Sequence, residues 1–169
     1  MGRELTMKTM CSLGFAFLLA VATTLQAELP TKKVLTLGLA KRLVAAAEAE
    51  AKKRGATVVI AVVDDGGQLI LLERLDDTQV ASVEVAIGKA RTAAIFRRPS
   101  KVFEDQVKDG RVAALALPGA TPLQGGIPIA VEGKVIGAIG ASGNSPQEDE
   151  EIALAGAAVT ATAVQEEGR

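Results

Sequence analysis

Lys89 carries the strongest chemical signal in this sequence. It lies in a segment, 78–96, whose apolar positions recur every three or four residues and therefore predict an amphipathic helix. The positions three and four residues before and after Lys89 hold only alanine, valine and threonine, so no acidic side chain on this helix is placed to pair with it. A lysine without a partner on such a face is a candidate for binding an anionic group.

Arg74 and Asp76 form a second candidate, just beyond the end of a predicted strand. A guanidinium can bind a carboxylate through two parallel hydrogen bonds. Arg74 and Lys89 could therefore anchor a small acid, with Asp76 as an acid or base. The alternative is an ion pair between Arg74 and Asp76 themselves, without any ligand.

Two glycine-rich segments could also bring polar groups to a ligand. Gly125 and Gly126 could present backbone N–H groups to an anion, or they could form a turn that enters a strand. Ser142 lies between two glycines, but the chain has no His to serve as its base and no Ser-x-x-Lys sequence begins there. We keep these three residues as ligand-binding candidates and assign no catalytic residue.

Four consecutive acidic residues, 148–151, could bind a cation through oxygen ligands. They follow Ser145 and Pro146, which are typical of a helix start, and acids are favoured in the first helical turn. We therefore predict a helix start here and no metal site.

The residue types that are missing exclude several kinds of site. The chain has no His, Tyr or Trp, and its single Cys and three Met residues all lie before position 12. The rest of the chain therefore cannot form a disulfide, a Cys or His zinc site, or a Cys nucleophile. With 19 basic and 20 acidic residues and few aromatic residues, the sequence gives no indication of nucleic-acid binding.

The first 27 residues have the layout of a secretory signal peptide. Lys8 precedes an apolar run, 11–22, that is too short to span a membrane comfortably, and Ala27 offers a small residue at a cleavage position. Cleavage after Ala22 and a start at Met7 are alternatives. We expect a signal peptide over 1–27, one mature domain over 28–169, a periplasmic or secreted location, and no membrane attachment after cleavage.

The rest of the sequence predicts helices and strands without an internal repeat. The predicted helices cover 35–54, 78–96, a short stretch to about 108, and the segment from Ser145 onward. The five predicted strands cover 57–64, 68–73, 112–117, 127–131 and 134–141. Tight turns join consecutive strands at 64–67 and 132–133, so we predict the α+β class with a mainly antiparallel sheet.

Five blocks of sequence carry a resemblance to a known family. In chain order they are 62–67, 74–76, 86–93, 124–129, and 137–143 followed by 149–153. On these blocks the chain resembles the GlcG/HbpS family, also called the haem-degrading domain family, over 35–164.

The resemblance implies a profilin-like fold in which helices flank a central antiparallel sheet, and assembly into a homo-oligomer. It also implies haem as a possible ligand and, for exported relatives, a sensor kinase as a possible partner. Haem ligation by an imidazole is excluded because the chain has no His. Iron would have to use a lysine, a carboxylate, water, or a hydroxyl such as that of Thr121 or Ser142.

Two functions follow as hypotheses. The first is an exported, non-enzymatic protein that binds a small ligand such as haem, a related tetrapyrrole or iron. The second is an enzyme, or an enzyme accessory, acting on a small oxygenated carboxylate of glycolate or diol metabolism. We prefer the first, and a role as partner of a sensor kinase rests on the resemblance alone. The predicted ligand-binding residues are Arg74, Asp76, Lys89, Thr121, Gly125, Gly126 and Ser142.

Overall fold

Four α-helices and four strands follow one another through residues 29–167, which are the residues described by this computed structural model. All of these elements lie in the unit that begins at Lys32. The predicted signal peptide over 1–27 lies outside the described residues. In chain order the elements are α1 (Leu37–Arg54), β1 (Val59–Asp64), β2 (Leu69–Arg74), α2 (Ser82–Phe96), α3 (Lys101–Lys108), a 3-10 helix (Val112–Ala116), β3 (Gly126–Val131), β4 (Lys134–Ser142) and α4 (Pro146–Glu167).

The strands form one antiparallel sheet in the order β2-β1-β4-β3. Both predicted hairpins, β1-β2 and β3-β4, are confirmed. The second turns at Glu132 and Gly133, whose φ angles of 51° and 76° are the left-handed pair that a tight hairpin turn needs. The α+β class and the antiparallel sheet are therefore confirmed.

The predicted strand over 112–117 is wrong, because this segment forms the 3-10 helix instead. Its sequence, Val-Ala-Ala-Leu-Ala, contains a single β-branched residue and so has little preference for a strand. Only Ala114 is buried, while Val112 and Leu115 are 65% and 61% exposed. The sheet therefore has four strands rather than five, and the profilin-like arrangement stays a prediction.

Side chains of the sheet alternate between two helical layers. Along β1, Ile60 and Val62 belong to the core formed with α1 and α4, while Ala61 and Val63 pack toward α2. Because β1 is covered on both faces, its first five residues are all buried. None of the helices in residues 29–167 is long and apolar enough to cross a membrane.

Glycines let α2 lie very close to the sheet. A Cβ atom on Gly140 in β4 would overlap the carbonyl oxygen of Ala86, and one on Gly126 in β3 would overlap the carbonyl oxygen of Lys89. Backbone atoms of α2 therefore occupy the space that side chains would fill. This close approach brings Lys89 to the ends of β3 and β4.

The predicted start of α4 is confirmed. The backbone N–H of Glu148 donates to the hydroxyl oxygen of Ser145 at 3.3 Å, and the N–H of Ser145 donates to the Glu148 carboxylate at 3.4 Å. This reciprocal capping box fixes the first turn of the helix where the chain leaves β4. It thereby fixes Asp149, which is the next residue.

Candidate functional site

A buried ion pair joins Lys89 in α2 to Asp149 in α4. The Nζ atom of Lys89 donates to Oδ2 of Asp149 at 2.7 Å, and the two side chains are 4% and 3% exposed. Lys89 also donates to the carbonyl oxygen of Ala141 at 3.0 Å, and Oδ1 of Asp149 accepts from the backbone N–H of Asn144 at 3.0 Å. The expectation that Lys89 has no partner is correct for its own helix and wrong for the fold.

Gly125 makes room for this pair. Its φ angle of 125° lies in a region that other residues avoid, and a Cβ atom there would lie 3.0 Å from the Lys89 Nζ atom and 2.9 Å from the carbonyl oxygen of Ala141. Lys89 and Asp149 come from helices on opposite faces of the sheet. The pair therefore links the two helical layers beside the end of β4.

Burial raises the pKa of the Asp149 carboxyl above its ordinary value, while the hydrogen bond and the charge of Lys89 oppose this rise. The two charges compensate each other within one hydrogen bond, which is the condition under which ionised groups are tolerated in a protein interior. Removing either partner would leave the other charge buried alone.

A cavity of about 240 Å³ opens beside the pair. It is enclosed by the start of α2, a residue of α3, the loop before β3, the end of β4 and the start of α4. The polar side chains of its lining include those of Ser82, Lys89, Glu104, Gln124, Ser142 and Asp149.

Two serine hydroxyls in this cavity have no partner in the described part of the chain. Ser82 is 1% exposed and its Oγ atom has no hydrogen-bond partner. Ser142 is 6% exposed and its Oγ atom makes no hydrogen bond to the described residues either. The ammonium group of Lys89 has three N–H donors, of which Asp149 and Ala141 accept two. The cavity thus contains donors and acceptors that the fold leaves unused, although buried polar groups are normally paired.

Glu104 gives the cavity an acidic wall. Burial opposes ionisation, but hydrogen bonds from Lys108 and from the backbone N–H of Gln124 outweigh it and lower the pKa of Glu104. The Nζ atom of Lys108 lies 2.5 Å from Oε1 of Glu104, and the Lys108 side chain is 60% exposed. The side chain of Gln124 donates to Glu150 at 2.6 Å. The carboxylate of Glu104 is therefore ionised at neutral pH. Its negative charge is balanced mainly by Lys108, whose side chain is exposed to solvent.

The structure brings some of the predicted site residues together and separates others. Lys89 and Ser142 line the cavity, and Gly125 contacts the ion pair. Arg74 and Asp76 line a different cleft, beside the end of α1, and no ion pair joins them among the described residues. The structure therefore does not support one site in which Arg74 and Lys89 together bind a small acid.

Gly126 and Thr121 have roles within the fold. The backbone N–H of Gly126 donates to Ser100 at 2.8 Å, so it is not free to bind an anion. The hydroxyl of Thr121 packs against Gly88, whose missing side chain makes room for it. Thr121 therefore helps to hold the loop before β3 against α2, and Gly126 ties the start of β3 to the residue before α3.

Sequence reasoning missed Asp149 and Ser82. Asp149 was assigned to the acidic helix start, yet it lies on the same face of α4 as Ile152, Ala153 and Gly156, which are buried. An acidic side chain on the buried face of a helix requires a cation beside it, and Lys89 is the lysine on the buried face of α2. That pairing of two buried faces is the signal that could have identified the site. In residues 29–167, no three acidic side chains are grouped so that they could hold a metal ion.

Comparisons with known proteins agree with the resemblance carried by the sequence. The chain matches the family described as "Haem degrading protein HbpS-like" over residues 35–158. It is 44% identical to Protein GlcG of Escherichia coli (strain K12) over 112 residues, which are 66% of this chain and 84% of GlcG.

Solved structures show the same fold. A double mutant of Streptomyces reticuli HbpS has a TM-score of 0.73 at 34% identity, with 79% of this chain and 91% of that chain covered. A complex of PduOC with heme has a TM-score of 0.68 at 27% identity, with 75% of this chain and 94% of that chain covered. The family match, the GlcG relative and the shared architecture together show that this chain belongs to the GlcG/HbpS family.

Proposed function

We propose that this protein binds a small polar molecule in the cavity beside Lys89 and Asp149. The observation that carries the proposal is that two serines, Ser82 and Ser142, line the cavity and that neither hydroxyl has a hydrogen-bond partner among the described residues. A convergent set of unused polar groups in a concave site is typical of ligand recognition. The family and the heme complex of PduOC support a small-ligand-binding role in general.

The site favours binding over catalysis. Lys89 and Asp149 neutralise each other in a 2.7 Å contact, so neither is free to accept or deliver a proton without leaving a buried charge. The described chain also has no His or Cys that could act as a base or nucleophile. We therefore treat the enzyme hypothesis as the weaker alternative.

Ser82→Ala tests the proposal by separating binding from stability. Because the hydroxyl has no partner in the fold, we expect the free energy of unfolding to change by less than about 0.5 kcal/mol or to rise. Ligand affinity should fall by about fivefold, since a bound molecule loses a hydrogen bond worth roughly 1 kcal/mol. A ligand-observed NMR screen of small polar compounds, followed by titration of the hits, measures this loss.

Thr160→Val is the matched control, because Thr160 also has a buried hydroxyl without a partner but lies in α4 outside the cavity. It should leave every affinity unchanged. Hits that bind Ser82→Ala as tightly as the unmodified chain would place their site elsewhere, and a screen without hits would remove the proposal.

Haem binding is a second candidate, supported by the family description and by the PduOC complex. The residues present do not fit a haem with an ordinary axial ligand, because residues 29–167 contain no His, Met, Cys or Tyr. The cavity of about 240 Å³ is also below the range of about 300–1,000 Å³ that holds drug-sized ligands. Haem would therefore bind outside this cavity, on the surface or between copies of the chain.

A haem titration tests this candidate. Amino-acid side chains do not absorb in the Soret region, so any band there comes from haem, and the absence of Trp and Tyr also keeps the near-ultraviolet background low. A saturable band that remains after desalting would support haem binding, and complete loss of the band on desalting would exclude it.

Export, assembly and partners remain proposals. A periplasmic or secreted location rests on the signal-like segment over 1–27. A homo-oligomer rests on the family resemblance and on the similarity to HbpS structures. A sensor-kinase partner has no support beyond the family resemblance.

A further inference from the structure

The charges around the cavity are already compensated. Lys89 is paired with Asp149 at 2.7 Å, and Glu104 is paired with Lys108 at 2.5 Å. A carboxylate ligand would need an unpaired cation. Among the residues that the structure describes, Lys89 is the only cation that lines the cavity, and Asp149 neutralises its charge.

The negative charge of Glu104 makes the cavity still less favourable for an anion. Glu104 lines the cavity, whereas its partner Lys108 does not and has a side chain 60% exposed to solvent. Water screens the exposed ammonium more strongly than the carboxylate, whose side chain is 12% exposed. An organic acid in the cavity would therefore meet a like charge and lose its own hydration.

The unused groups suit hydroxyl and carbonyl oxygens. Each serine hydroxyl, on Ser82 and on Ser142, can donate one hydrogen bond and accept others. Lys89 retains one N–H without an acceptor in the described chain. An alcohol can donate to one serine and accept from Lys89, while carbon atoms of the ligand pack on Val85 and Leu123, which also line the cavity.

We propose that the cavity selects uncharged molecules bearing hydroxyl or carbonyl groups, with few carbon atoms, over organic acids of the same shape. This inference rests on the binding function proposed above. It departs from the small oxygenated carboxylate named in the second of the two hypotheses from the sequence.

Three compounds of nearly equal size test the ligand class: lactamide, propane-1,2-diol and lactate. The first two are uncharged and the third is an anion at pH 7.5. The full chain, labelled with ¹⁵N, is titrated with each at low ionic strength, and the amide signals of Ser82 and Ser142 report occupation of the cavity. We expect lactamide and propane-1,2-diol to bind at least about tenfold more tightly than lactate, a difference of about 1.4 kcal/mol.

Glu104→Gln provides the charge control, because it removes the acidic wall and keeps the shape of the side chain. It should raise the affinity for lactate relative to that for lactamide by about threefold. Lactate binding as tightly as lactamide at the Ser82 and Ser142 signals would overturn the ligand class and leave the binding site standing. If none of the three compounds moves these signals, both the ligand class and the proposed binding function fail.

Discussion

Lys89→Met is expected to lower the free energy of unfolding by about 3–5 kcal/mol, the usual effect of removing one partner from a buried ion pair. The substitution keeps the length of the side chain but leaves the Asp149 carboxylate buried without its cation. Asp149 would keep only its backbone hydrogen bonds, such as the one from Asn144. Denaturant unfolding at pH 7 measures the change.

Two further variants test whether the loss of stability comes from leaving one charge buried alone. Lys101→Met breaks the Lys101–Asp105 pair, whose side chains are 40% and 44% exposed, and should change the free energy of unfolding far less than Lys89→Met does. The double variant Lys89→Met with Asp149→Leu removes both charges and should regain most of the lost stability. An effect of Lys89→Met no larger than that of Lys101→Met would show that the pair is not buried as described.

Gly140→Ala should destabilise the protein by about 3 kcal/mol, at the upper end of the usual cost of overpacking a core. The new Cβ atom would overlap the carbonyl oxygen of Ala86 and lie 2.7 Å from the backbone nitrogen of Ala90. Both atoms belong to the backbone of α2, so relief requires the whole helix to move away from the sheet. Thermal and denaturant unfolding both report the loss.

Gly38→Ala is the matched control for this substitution. Gly38 lies in α1, is exposed, and would place its Cβ atom 3.8 Å from the nearest side-chain atom. Alanine is favoured over glycine in helices by about 1 kcal/mol, so this variant should gain stability. Equal stabilities of the two variants would contradict the close packing of α2 on the sheet.

The sequence predicted most of the fold because its local signals agree with one another. Alternating and β-branched runs, tight turns and the Ser145 capping sequence each identified an element that the structure contains. The prediction for 112–117 was wrong because a short apolar run has no period that separates a strand from a helical turn, and its alanines give a strand little support. Only the surrounding packing decides between them, and local sequence does not carry that information.

The candidate site was predicted in part, for a similar reason. Lys89 stood out because its own helix offers no partner, but its true partner is 60 residues away and comes from the other helical layer. Arg74 and Lys89 looked like one site, although the fold sends Arg74 to a different cleft. A lysine can be recognised as unusual from local spacing, whereas the identity of its neighbours depends on the topology of the chain.

The most direct test of the proposed binding site is a map of backbone amide shifts for the full, ¹⁵N-labelled chain with the tightest compound from the screen. We predict that the largest shifts lie at Ser82, Ser142 and Asn144, around the cavity beside Lys89. Shifts concentrated at Arg74 and Asp76 instead, with the cavity signals unchanged, would contradict it.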